Sequence, residues 1–294
     1  MLKTKWALGA ALLFVTVNLG RAADDTFDLR GPAPAKGQVF VNKSTLKIKD
    51  ADTTMKVAGQ TVNLKINLLV TSEEEAKVLA VDGRNVTKCQ TKIVKERADV
   101  AANFGGMEMN HTEPTALEKE TVISEREGKG WKHSLVDTKP TDKQKKELDS
   151  RNGIENDDDL YPKEKVKVGH TWKVDATALT KMLGNSFSDV KGKLDQKFVK
   201  LEKVDGEECA VIESSGKITA KMKDEGEPTV DVEMELKITT HKSIKTGVSV
   251  KEKFDGKIRL EGTQKMDDIK VDIKMAGPIS GEATTSLKEM SPKK

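Results

Sequence analysis

The residues with the greatest capacity for chemistry in this chain are four histidines, one triple aspartate and two cysteines. His111, His133, His170 and His241 stand far apart and share no ligand spacing. A metal centre would need the fold to gather several of them with carboxylates. Asp157-Asp158-Asp159 has the charge to attract calcium. The alternating ligands and the glycine of an EF-hand loop are missing, so the run reads as an ordinary acidic loop. Ser214-Ser215-Gly216-Lys217 superficially suggests a nucleophile or a phosphate loop, but it sits inside a strand pattern with no helix after it. Nucleophile elbow, Walker loop and dinucleotide fingerprint are absent. The sequence therefore assigns no catalytic residue, no metal ligand and no cofactor. Cys89 and Cys209 could close one disulfide in an oxidising compartment. The loop would be long, worth about 4–5 kcal/mol in chain entropy if the geometry allows. The alternative is two separate thiols. Cys209 falls on the ionic parity of its strand, beside Glu207 and Glu213, and reads as a surface residue.

The elements that must position these groups are strands. Val62, Leu64, Ile66, Leu68 and Val70 alternate with polar neighbours, as in a strand wetted on one side. Residues 76–81 and about 85–97 form a pair turned by Asp82-Gly83, and 118–127 and 131–137 a pair turned by Gly128-Lys129-Gly130. Residues 101–116 lack a period and read as a loop. Five long strands follow near 188–204, 207–223, 229–244, 247–262 and 264–276. Phe198-Val199 marks a parity switch that a bulge would produce. Thr141 or Asp142 can cap a short helix to Arg151 with no apolar face worth burying. Asp175 can cap a second, carrying Ala176, Leu179, Met182 and Leu183 and ending at Gly184. The fold class is mainly β: a long antiparallel meander forming a strongly curled sheet or open barrel, with one or two short helices.

The chain divides into a signal peptide (1–22), an extended leader (23–36), an N-terminal β-rich half (37–137), a hinge or surface segment (138–165), a C-terminal meander (166–283) and a flexible tail (284–294). Lys3 and Lys5, the apolar run Trp6 to Leu19 and the small residues around Ala22 carry the first assignment. They point to export, to the periplasm or beyond. Removing Lys3, Lys5 and Arg21 takes the 51 basic residues to 48, against 48 acidic ones. A neutral, charge-mixed chain has no basic surplus for nucleic acid. Its densely ionic parity cannot face lipid, which excludes a membrane barrel and leaves no integral membrane protein after processing.

The string Tyr161-Pro162-Lys163-Glu164-Lys165-Val166-Lys167-Val168-Gly169-His170-Thr171-Trp172 resembles uncharacterised exported bacterial families with a proline and then Val-Gly-x-x-Trp before a β-rich C-terminal half. That resemblance implies no activity. It leaves Trp172 as a strand anchor. The long meander is also similar in architecture to periplasmic lipoprotein carriers and related lipid-binding half-barrels. An apolar ligand would then lie along Val230, Val232, Met234, Leu236, Ile238, Phe254, Ile258 and Leu260, with the Asp175–Gly184 helix as a lid. Those carriers are rich in aromatic lining, which is scarce here. Three function classes remain: a non-catalytic structural or interaction protein of the envelope, a carrier of a lipid or other apolar ligand, and an enzyme whose site is unrecognised.

Overall fold

The computed structural model describes residues 25–128, 130–183, 187–222, 229–266 and 269–288. The signal peptide, Lys129, Gly184, the Asp224–Pro228 turn and the last six residues lie outside them, as does the side chain of Met182. Twelve strands form one antiparallel sheet: β1 (Val39–Val57), β2 (Gln60–Asp82), β3 (Asn85–Phe104), β4 (Met107–Pro114), β5 (Thr121–Glu127), β6 (Gly130–Leu135), β7 (Thr171–Asp175), β8 (Phe187–Val204), β9 (Glu207–Met222), β10 (Val230–Ser243), β11 (Ser249–Met266) and β12 (Ile269–Lys288). Their order is β6-β5-β3-β2-β1-β12-β11-β10-β9-β8-β7, with β4 paired to β3 alone. Two meanders thus run outward from a central seam where β1 meets β12, Val39 facing Lys288 and Ile48 facing Ile279.

The expected meander is present, but the sheet is open and not strongly curled. Closure would require the edges β6 and β7 to pair, and they do not. Much of the apolar parity is covered by other chain segments, so the sheet need not roll up to hide it. The residues expected as a leader supply Leu29 and Phe27. Leu29 is buried, and the Phe27 ring meets Phe198 edge-on at 5.8 Å. Phe27 also bridges to Val166. The bulge expected at Phe198 is there, as a register shift between Phe198 and Lys200.

Several expectations need correction. Residues 62–70 and 76–81 belong to one strand of 23 residues, because Ser72 to Glu75 stay in register with β1 and keep pairing with β3 across a shift between Glu73 and Glu74. Residues 101–116 are no loop: they end β3 and form β4, turned at Gly105-Gly106, both at positive φ that glycine adopts without strain. Residues 284–288, expected as loose tail, pair with β1.

Helix α1 (Asp142–Ser150) begins with a full capping box between Thr141 and Gln144. It does bury a face. Leu148 packs with Ile93, Leu117, Val122 and Leu135 in a small second core, and a single leucine is too little for periodicity to reveal. Helix α2 (Ala176–Leu183) is capped by Asp175, whose Oδ1 accepts from the backbone N–H of Thr177 at 2.9 Å. It lays Ala178 and Leu179 on the main core beside Leu194, Phe198, Ile212 and Ile218.

Candidate functional site

Because β6 and β7 are opposite edges, the chain between them, residues 136–170, has to cross the sheet. Ten strand spacings of about 4.8 Å lie between the edges. This strap carries α1, a 3-10 turn (Asp158–Leu160) and the string that ends at Trp172. It runs over the apolar parity of the sheet. Ile154 packs against Val78, Val86 and Cys89, and Tyr161 and Leu160 enter the main core. Trp172 Nε1 donates to the Leu160 carbonyl at 2.8 Å and fixes the strap's exit.

The triple aspartate is a three-way clasp. Asp157 accepts from Lys242 Nζ on β10 at 2.6 Å. Asp158 accepts from Arg84 at the β2–β3 turn through both Nε and Nη2, the latter at 2.7 Å. Asp159 pairs with Lys181 of α2. Three further pairs hold the upstream end: Arg151 reaches Glu96 at 2.8 Å and Glu74 at 3.4 Å, and Arg126 reaches Glu155 at 2.8 Å. Gly153 lies so close under the Trp131 ring that a Cβ there would sit 2.6 Å from it.

The sheet beneath Asp157 is polar where its parity is elsewhere apolar. Along β10 the series Val230, Val232, Met234, Leu236, Ile238 gives way to Thr240 and Lys242, and on β11 Glu252 faces Thr240. Lys242 is 1% exposed, and its ammonium lies 4.1 Å from the centroid of the Tyr161 ring. Burial pushes the Tyr161 hydroxyl well above its usual range, with Asp157 adding to the effect; Ser249 hydrogen-bonds to it. Burial also raises the Glu252 carboxyl, against the Thr240 hydroxyl that donates to it at 3.3 Å. Burial would raise Asp158 too, but hydrogen bonds from Arg84 and Asn156 outweigh it, and its pKa is lowered. Convergence of buried, perturbed groups marks a candidate site.

Two hollows, both open to solvent, flank the clasp. One, of about 280 Å³, lies between the leader, the strap and the β10–β11 turn, walled by Arg30, Phe40, Asn42, Ile154 and Val248 among others. The second, of about 290 Å³, lies between strap, α2 and β11, walled by Asn152, Tyr161, Lys181 and Glu252 among others. They share Glu155, Asn156, Asp157 and Ser249 as a partition.

The eight apolar residues singled out from sequence line neither of these spaces. Val230, Val232 and Met234 are buried, with Val232 and Met234 in the main core. Leu236, Ile238, Ile258 and Leu260 pack partly buried against that core, while Phe254 joins the central cluster of Ile48, Ala51, Met275 and Ile279. Ile238 also borders an open hollow of about 800 Å³ whose walls include Lys173, Asp195, Glu213 and Lys237. Cys89 and Cys209 are not joined. Each is a free, buried thiol, one on β3 and the other on β9, with β2, β1, β12, β11 and β10 between them. Cys209 is no surface residue: it is fully buried, with Glu202 and Ser243 beside it on the flanking strands. Burial raises both thiols.

The histidines stay apart. His133 Nε2 donates to the Arg151 carbonyl at 3.0 Å and its Nδ1 accepts from Ser124 at 2.8 Å, while His170 stacks on Trp172. His111 is exposed and His241 lies 4.0 Å from Glu202. Among the described residues no group of three or more His, Cys, Asp or Glu is gathered as a metal site. No helix of the described residues is long and apolar enough to cross a membrane. Sequence reasoning missed Lys242 and Glu252. The signal was there, as breaks in the apolar parity of β10 and β11.

No protein-family model matches the chain. No curated protein matches it. Among solved structures it has a likeness to the COG4313 outer membrane channel from Pseudomonas putida F1, with 7% identity and a TM-score of 0.28 over 87% of this chain and 97% of that one. A second likeness is to a DUF1329 family protein from Desulfovibrio piger, with 11% identity and a TM-score of 0.11 over 88% of each chain. Likenesses this distant carry no argument about what this chain does.

Proposed function

We propose that this chain is an exported, non-catalytic interaction protein of the cell envelope that holds an apolar partner on the uncovered part of its aliphatic sheet face. One observation carries the reading. On the β3–β4 hairpin Phe104, Met107 and Met109 are 41%, 66% and 60% exposed. Register puts them on the parity of the aliphatic rows, Met109 facing Ala102, which faces Ile66, while Val100 faces Leu68. The hairpin thus prolongs an apolar surface that α2 leaves bare, since α2 packs on β7 and β8. Exposed apolar surface of this kind marks contact sites, and methionine adapts its shape to varied apolar partners. The carrier reading is the form of this proposal in which the partner is a lipid. It draws on Leu236, Phe254, Ile258 and Leu260, which stay half-buried along the same face.

The test compares the processed protein with a Met107→Ser, Met109→Ser double variant, using anilinonaphthalene sulfonate as the apolar probe and native mass spectrometry for co-purified lipid. Probe binding is expected to fall severalfold while the urea midpoint stays put, because neither side chain is packed. Equal probe binding by the two proteins would remove the hairpin from the contact surface and the proposal with it. Lipid in the spectra selects the carrier form, and its absence selects a protein partner.

A further inference from the structure

We propose that the cavity between the strap and β11 binds one small, neutral, polyhydroxylated molecule of about the bulk of a single sugar ring. The site is separate from the apolar face and does not depend on it.

The charge of the walls comes first. Asp157 is neutralised by Lys242, Asp159 by Lys181 and Glu155 by Arg126. Glu252 is held toward its uncharged form by burial. The walls therefore offer no net charge to draw an inorganic cation or a phosphate. They do offer hydrogen bonding of both senses: donors on Asn152, Lys181 and Tyr161, and acceptors on Asp157, Glu252 and the Ser249 oxygen. Vicinal hydroxyls, each a donor and an acceptor, satisfy such a wall. The Tyr161 ring, with Leu160 and Ala178 beside it, supplies an apolar patch for the C–H side of a ring.

Size and cost point the same way. The hollow, of about 290 Å³ and open to solvent on one side, has room for a single ring. A cover whose only task was to shield the sheet would be built from apolar side chains. Here the chain instead buries Lys242 and half-buries Glu252 under the strap, which ion pairs from Asp158 to Arg84 and from Arg151 to Glu74 help to hold in place. Burying an ammonium such as that of Lys242 costs desolvation that attraction to a single, partly exposed carboxylate often fails to repay. A ligand that completes the hydrogen bonding of the walls offsets that cost.

The chain contains one tyrosine, Tyr161, so tyrosine labelled with carbon-13 gives a single ring signal from the cavity wall. The labelled, processed protein is titrated with glucose, N-acetylglucosamine and myo-inositol, and in parallel with calcium chloride and inorganic phosphate. At least one of the three polyols is expected to move the Tyr161 signal saturably, while calcium and phosphate leave it in place. Asn152→Leu removes a wall amide without touching a clasp and is expected to weaken that polyol at least tenfold with the urea midpoint kept. Lys242→Met is the stronger variant, read only if it folds. A signal unmoved by all three polyols, moved by calcium or phosphate instead, or moved equally in Asn152→Leu, overturns the proposal.

Discussion

The covered strands β7–β10 and the bare middle stretches of β11, β12, β1, β2 and β3 share one pattern, with aliphatic residues at every second position and ionic ones between. They differ in what lies on the aliphatic side. Over β8–β10 sit α2, the leader and the end of the strap, and Phe198, Ile212, Ile218 and Val232 are buried. Over the central strands no helix of the described residues enters the cluster, and Leu46, Leu68, Phe254 and Ile258 are only partly buried around Ile48 and Ile279. Periodicity therefore tells which side of a strand avoids water. It does not tell whether a core or a partner does the covering.

The largest expected effect separates the two regions directly. Phe198→Ala removes a fully buried ring that touches Phe27, and should cost about 3–5 kcal/mol in urea unfolding, transfer and cavity terms together. Leu68→Ala, on the bare rows, should cost only about 1 kcal/mol, because the side chain is already half wet and leaves no cavity. Equal losses at the two positions would mean that the central strands are covered in solution, and would break the comparison.

The ion pairs sharpen it. Asp158→Ala unfastens the strap from Arg84, a pair in which the carboxylate keeps 18% of its exposure and the guanidinium 34%. Allowing for solvent screening, the expected loss is about 1–2 kcal/mol. Asp52→Ala breaks the pair with Lys65 on the ionic face, where the side chains are 83% and 57% exposed, and no measurable change is expected. If both variants unfold at the wild-type midpoint, the clasp is not what holds the strap.

Much of the architecture was legible in the residues. The first four C-terminal strands fall within a few positions of their expected limits, β11 running on to Met266, while the fifth, expected at 264–276, lies at Ile269–Lys288, since Gly262 pairs on both sides within β11. The caps at Thr141 and Asp175 hold as read. What period-two reasoning could not supply was long-range partnership. Nothing local says that β1 and β12 pair, and hence that β6 and β7 become the two edges that the strap must join. The site follows from that fact alone. Asp157-Asp158-Asp159 reads as an acidic loop because its cations, Lys242, Arg84 and Lys181, lie 85, 74 and 22 residues away. The one local hint was the polar interruption of β10 at Thr240 and Lys242.

The smallest effect tests whether the polar patch under the strap is under tension. Burial raises the Glu252 carboxyl above its ordinary value of 4.5, with Asp157 adding to the shift. The folded state then holds this proton more tightly than the unfolded chain does. Its stabilising share is complete below the ordinary value and is lost as pH rises through the raised one. Asp158 has the opposite sign: its pKa is depressed below 3.8 by Arg84 and Asn156, so its share is present above that value and is lost as pH falls through the folded one. In urea unfolding across pH, Glu252→Gln should therefore flatten the decline above about pH 4.5 and leave the acid limb alone. Asp158→Asn should flatten the limb below about pH 3.8 and leave the neutral region parallel to wild type. A Glu252→Gln curve that runs parallel to wild type above its ordinary value would mean that water reaches Glu252 freely. The strap would then be a loose cover over a wet groove, and the contrast between a closed half and a bare one would reduce to α2 and the leader.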